Sequence, residues 1–91
     1  MVSRQITVKN QSGLQSKSAA LLIQKASSFK SEIWVEKGER KANARSLLGL
    51  LSLGIANGNM ITITTEGNDE AEAAEELEKY LLSDDLDIYN K

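Results

Sequence analysis

Residues 43–54 read NARSLLGLLSLG, a serine set after a basic residue and directly before a run of leucines. With Ser46 at the mouth of a short helix, its hydroxyl can accept a hydrogen bond from a backbone N–H of the first turn, and leucines follow at 47, 48, 50, 51 and 53. Such a helix is apolar nearly all round. A chain of 91 residues can cover one face of it, which leaves the other to solvent or to a partner. Leu50 and Leu53, in helical phase relative to Leu47, are the expected inward positions, and Leu47, Leu48 and Leu51 are then left outward beside Ser46.

The segments on either side must supply the layer against which this helix packs. Residues 4–9 alternate, with Ile6 and Val8 on one face and Gln5, Thr7 and Lys9 on the other, the pattern of a half-buried strand, and residues 10–13 close it. After Gly13 and Leu14 the chain reads QSKSAALLIQKASSF, where Ala19, Leu22, Ile23 and Ala26 have the spacing of a core-facing helix, capped by Ser16 or Ser18. A second strand is expected over 31–36, with Ile33 and Val35 inward and Trp34 on the opposite face, lying over its strand neighbours. Lys37-Gly38-Glu39 is a turn, and the short, charged segment 40–43 suits an edge strand protected against further pairing. Residues 60–66, MITITTE, alternate again, with Ile61 and Ile63 opposed to Thr62 and Thr64.

Beyond Gly67, Asn68 or Asp69 is expected to cap a last helix whose first turns hold Asp69, Glu70 and Glu72, matched to the positive end of its dipole. Ala73, Ala74, Leu77 and Leu81 form its buried stripe. The stretch from Ser83 onward carries Asp84, Asp85 and Asp87 with few apolar anchors, so 84–91 is expected to be a flexible tail of a single domain spanning 1–91. The order β-α-β-β-α-β-α predicts an α+β fold. In it a four-stranded antiparallel sheet is covered on one face by three helices, and its other face, with Thr7, Thr62 and Thr64, is open to water.

Composition narrows the chemistry. There is no cysteine and no histidine, which removes thiolate and imidazole metal ligands, disulfides, and imidazole as a general base or phosphoryl carrier, so neither metal nor cofactor is expected. Eleven Lys and Arg against 13 Asp and Glu give a net charge of −2, no electrostatic case for direct nucleic-acid binding. MVSRQITVKN lacks the apolar core of a signal peptide, and no apolar run approaches the roughly 20 residues that span a bilayer, so a cytoplasmic, non-membrane protein is expected.

Gly13-Leu14 before the first helix, ARSLLGLLSLGIANG over 44–58, the ITI strand and the EGNDEAEA run resemble the HPr family, the small phosphocarriers of the bacterial sugar phosphotransferase system, over roughly the first 83 residues. That resemblance implies an open-faced β-sandwich. The family's carrier signature, Gly-Leu-His-Ala-Arg-Pro-Ala, appears here as Gly13-Leu14-Gln15-Ser16-Lys17-Ser18-Ala19, so the carrier position is degenerate at Gln15. A glutamine amide cannot hold a labile phosphoryl group, and a phosphate ester on Ser16 or Ser18 is too stable to pass one on. Lys17 keeps the charge of the signature arginine without its planar fork.

Ser46, by contrast, stands where Gram-positive members carry a regulatory phosphoserine. A chain with the serine and without the histidine is similar to the catabolite-repression members of the family. The resemblance then implies a non-enzymatic phosphoprotein, phosphorylated on Ser46 by HPr kinase/phosphorylase and acting as corepressor for CcpA, a LacI-type repressor. It also places Lys17 and Gln24 at the border of the Leu47, Leu48 and Leu51 surface, and gives Arg45 a part in shielding the phosphate or in kinase recognition. Two other readings compete: an HPr-like interaction module that works without phosphorylation, and a small-ligand domain using the open sheet, for which the sequence offers no convergent polar pocket.

Overall fold

The computed structural model describes residues 1–10 and 13–83; the tail expected over 84–91 lies outside the described residues, as do Gln11 and Ser12 of the first turn. The elements are β1 (Val2–Thr7), α1 (Ser16–Ser27), β2 (Glu32–Lys37), β3 (Arg40–Asn43), α2 (Leu47–Ser52), β4 (Met60–Glu66) and α3 (Glu70–Leu82). The strands form one sheet in the order β1-β4-β2-β3 with every pair antiparallel, so the charged β3 is an edge strand as expected.

Alternation decides which residues are covered. Ile6, Ile33, Val35, Ile61 and Ile63 point to one side of the sheet and meet Ala19, Leu22 and Ala26 of α1 and Ala73, Leu77 and Leu81 of α3 in one buried cluster. Ile23 is only partly buried against it. The opposite face is open. There Trp34 is half-buried, and the Lys41 Nζ lies 4.9 Å from its ring centroid, a cation–π contact between neighbouring strands. The first strand starts earlier than its pattern suggests and ends at the Thr7–Met60 pair. Val8 stays fully buried, but its N–H donates to the Asn59 carbonyl at 2.9 Å, outside the ladder.

The helix termini use less obvious partners. The N-cap of α1 is Gln15; Ser18, one turn inside, accepts from the Gln15 N–H at 2.9 Å and donates to the Gly13 carbonyl at 2.7 Å. In α3 the N-cap is Asp69, yet its carboxylate does not cap its own helix. It accepts instead from the Lys30 N–H and the Ser31 N–H, both at 2.9 Å, and from the Ser31 hydroxyl, clamping the start of α3 to the start of β2.

These donors, the Ser31 hydroxyl foremost, hold the Asp69 carboxyl below its usual range. A folded-state pKa below the unfolded one gives stability that is present above the unfolded value and lost as pH falls through the folded one. Asp69→Asn is therefore expected to lose less of its urea midpoint than the parent chain between about pH 6 and about pH 3. Glu70, lowered mainly by the Gly67 N–H, accounts for part of the fall that remains. Equal losses in the two proteins would show that the clamp contributes nothing to acid sensitivity.

Candidate functional site

β3 ends at Asn43, and Asn43 turns the chain. Its side-chain Oδ1 accepts from the Arg45 N–H at 2.8 Å and its carbonyl from the Ser46 N–H at 3.0 Å, an Asx-type turn that delivers Ser46 to the mouth of α2. Ser46 has extended backbone angles, φ −105° and ψ 110°, and its Oγ accepts from the Gly49 N–H at 3.1 Å. Its carbonyl accepts from the Leu50 N–H at 2.9 Å. The serine is thus an N-cap, and it is exposed. Gly49 leaves the room: a Cβ there would lie 3.0 Å from the Ser46 Oγ and 3.1 Å from the Ala42 Cβ.

The leucines divide. Leu50 is completely buried and Leu53 nearly so, whereas Leu48 is 80% and Leu47 40% exposed. Leu51, expected outward, is half-buried and packed against the core. Successive residues of a helix are turned by about 100°, so a buried arc centred near Leu50 takes in part of its neighbour. The exposed apolar pair beside the serine is therefore Leu47 and Leu48.

Arg45, half-buried, directs its guanidinium at backbone carbonyls. Its Nη2 donates toward the carbonyls of Ala26 at 2.9 Å, Phe29 at 2.7 Å and Ser31 at 3.0 Å, at the C-terminal end of α1 and the start of β2. Those carbonyls are 14 to 19 residues away in sequence, and no local pattern announces them. Lys17 and Gln24 are exposed on α1, the helix that packs on α2. Gln15 is exposed at the head of α1. Its loop is tied to the segment that follows α2, because the Leu14 N–H donates to the Ile55 carbonyl at 3.0 Å.

A sequence model described as "PTS HPr component phosphorylation site" matches residues 2–83. HPr-like protein Crh of Halalkalibacterium halodurans is 53% identical over 77 residues, covering 85% of this chain and 92% of that protein. Crh of Bacillus subtilis is 41% identical over 81 residues, covering 89% and 95%. Among solved structures, the phosphocarrier protein HPr of Bacillus anthracis matches with a TM-score of 0.86 at 45% identity, over 88% of this chain and 95% of that one. Sequence match over nearly the whole described chain and the shared βαββαβα architecture lead to one assignment: the chain belongs to the HPr family.

Proposed function

We propose that this chain is a regulatory phosphoprotein of bacterial carbon catabolite repression, phosphorylated on Ser46 by HPr kinase/phosphorylase. In that state it acts in the cytoplasm as corepressor for a CcpA-type repressor of the LacI family. It is a substrate and a ligand, not a catalyst. The observation that carries the reading is an exposed N-cap serine beside an exposed leucine pair, in a chain with glutamine at the carrier position and no histidine. Similarity to the Crh proteins supports the same assignment.

The chemistry is direct. Gln15 offers an amide, which neither attacks a phosphoryl donor nor releases a phosphoryl group, so phosphohistidine relay has no acceptor in these 91 residues. A phosphate on Ser46 adds about −1.5 to −2 charges next to the N–H groups at the head of α2, where a negative charge is favoured. No refolding is required of the chain. The change lies in what the surface presents, a dianion next to Leu47 and Leu48, with Lys17 and Gln24 at its border and a share of Leu51 behind it. A partner with a basic pocket beside an apolar groove reads both features.

Incubation with kinase and ATP, followed by mass spectrometry and a binding titration against the repressor, tests this. The expected result is one phosphate on Ser46 and binding at least about a hundredfold tighter than without it, about 2.7 kcal/mol. Ser46→Asn, which retains an N-cap acceptor but no hydroxyl, is expected to take no label. Label on another residue, or equal binding with and without phosphate, would overturn the reading. Equal binding would favour an interaction module that uses Leu47 and Leu48 unmodified.

A further inference from the structure

We infer that Arg45 is the positioning residue of the Ser46 site: its guanidinium clasps the serine's loop to the C-terminal end of α1 and is not the counter-ion of a phosphate on Ser46. This deepens the reading of Ser46 as a phosphorylation site and rests on it for the phosphate half only. A single nitrogen, Nη2, lies within 3.0 Å of three carbonyl oxygens, those of Ala26, Phe29 and Ser31. Ala26 is in the last turn of α1, and its carbonyl, which also accepts from the Phe29 N–H at 3.2 Å, sits at the negative end of the helix dipole, where a guanidinium is favoured; the Phe29 and Ser31 carbonyls follow in the link to β2. The two hydrogens on Nη2 must be shared among the three oxygens.

The same residue is held through its backbone, since its N–H donates to the Asn43 Oδ1 at 2.8 Å. Ser46 therefore follows a residue fixed at both main chain and side chain. The attachment continues inward: Ser31, whose carbonyl meets Arg45, gives its own N–H and hydroxyl to Asp69 at the start of α3. Through Arg45 the mouth of α2 is joined to α1, β2 and α3 at one point. α2 has six residues, too few to be stable alone, so its placement depends on such tethers and on Leu50.

Moving the guanidinium onto a phosphate would strip three half-buried carbonyl contacts to gain one ion pair at an exposed serine, where solvent screens it. The clasp stays closed. A phosphate on Ser46 then keeps its charge facing outward, for the partner's cations to neutralise.

The test uses the full chain with Arg45→Ala and Arg45→Lys. Without phosphate, amide exchange at Leu50 and at Lys30 and Ser31 is expected to quicken about tenfold or more in the alanine variant, and less in the lysine variant, which keeps a charged donor. With phosphate, titration by phosphorus NMR is expected to give the phosphoserine the same second pKa in parent and variants. With the kinase, the alanine variant is expected to lose about tenfold in kcat/KM, partly restored by lysine.

Unchanged exchange in both variants would overturn the clasp. A phosphoserine pKa raised by about half a unit or more on removing Arg45 would show that the guanidinium pairs with the phosphate, and would overturn the inference from the other side. Should the kinase leave Ser46 unlabelled, the exchange data still decide the clasp, and the failure belongs to the phosphorylation reading.

Discussion

Leu50→Ala is expected to destabilise the domain by about 3 kcal/mol, while Leu48→Ala, two residues away on the same helix, is expected to change its stability by no more than about 0.5 kcal/mol. The first side chain is completely buried; the second is 80% exposed. A truncated core leucine loses its transfer free energy and leaves a cavity, and α2 is a single short helix whose placement relies on that anchor. Against a total stability of about 5–15 kcal/mol, the loss is severe. Leu48 carries the opposite load: its alanine variant is expected to fold as well as the parent and to bind the repressor about tenfold more weakly when Ser46 is phosphorylated, about 1.4 kcal/mol. Urea denaturation and a binding titration on both variants check this. Comparable destabilisation in the two, or undiminished binding by Leu48→Ala, would refute the division of the helix into anchor and docking face.

That division was readable in advance where it depended on local geometry. Leu50 and Leu53 follow from helical phase, and the Ser46 cap from a hydroxyl three residues before an amide it can reach. The strand Met60–Glu66 and its inward isoleucines follow from strict alternation. What the pattern did not show is made of contacts between residues far apart in the chain. The Tyr80 hydroxyl donates to the Ser18 carbonyl across 62 residues, which explains a buried tyrosine that periodicity alone does not select. Arg4, at an inward position of β1, ends in an ion pair with Glu78 at 2.6 Å.

Asp69 is the instructive case. Its place at the head of a helix is evident from the acidic run after Gly67, but a carboxylate that can cap its own helix binds instead to Lys30 and Ser31, because tertiary packing brings two better-placed N–H groups and a hydroxyl to it. Arg45 follows the same logic. Its neighbour in sequence is Ser46, which suggests a role in recognition, and its neighbours in space are carbonyls, which give it a structural one. Adjacency along the chain identifies a site more readily than it identifies what holds the site.

Gly13→Ala is expected to cost about 3 kcal/mol or more, far beyond the roughly 1 kcal/mol expected for Gly38→Ala. Both glycines have left-handed backbone angles, φ +67° at Gly13 and +61° at Gly38, so both substitutions carry the conformational strain of a side chain in that region. They differ in what the new methyl meets. At Gly38 nothing among the described residues lies within 4 Å, whereas at Gly13 a Cβ would sit 2.5 Å from the Ile55 carbonyl oxygen and 2.7 Å from the Ala56 Cα, backbone atoms that cannot rotate aside. Relief requires the two segments to part, and parting breaks the Leu14 to Ile55 hydrogen bond and disturbs the Gly13 carbonyl that accepts from Ser18. The Gln15 loop and the end of α2 would then loosen together, so amide exchange at Leu14 should quicken in the Gly13 variant and not in the Gly38 one. Urea midpoints supply the stability difference. If the two alanines are equally tolerated, close approach of these loops is not what joins the Gln15 loop to the Ser46 helix, and each would have to be held by its own helix alone.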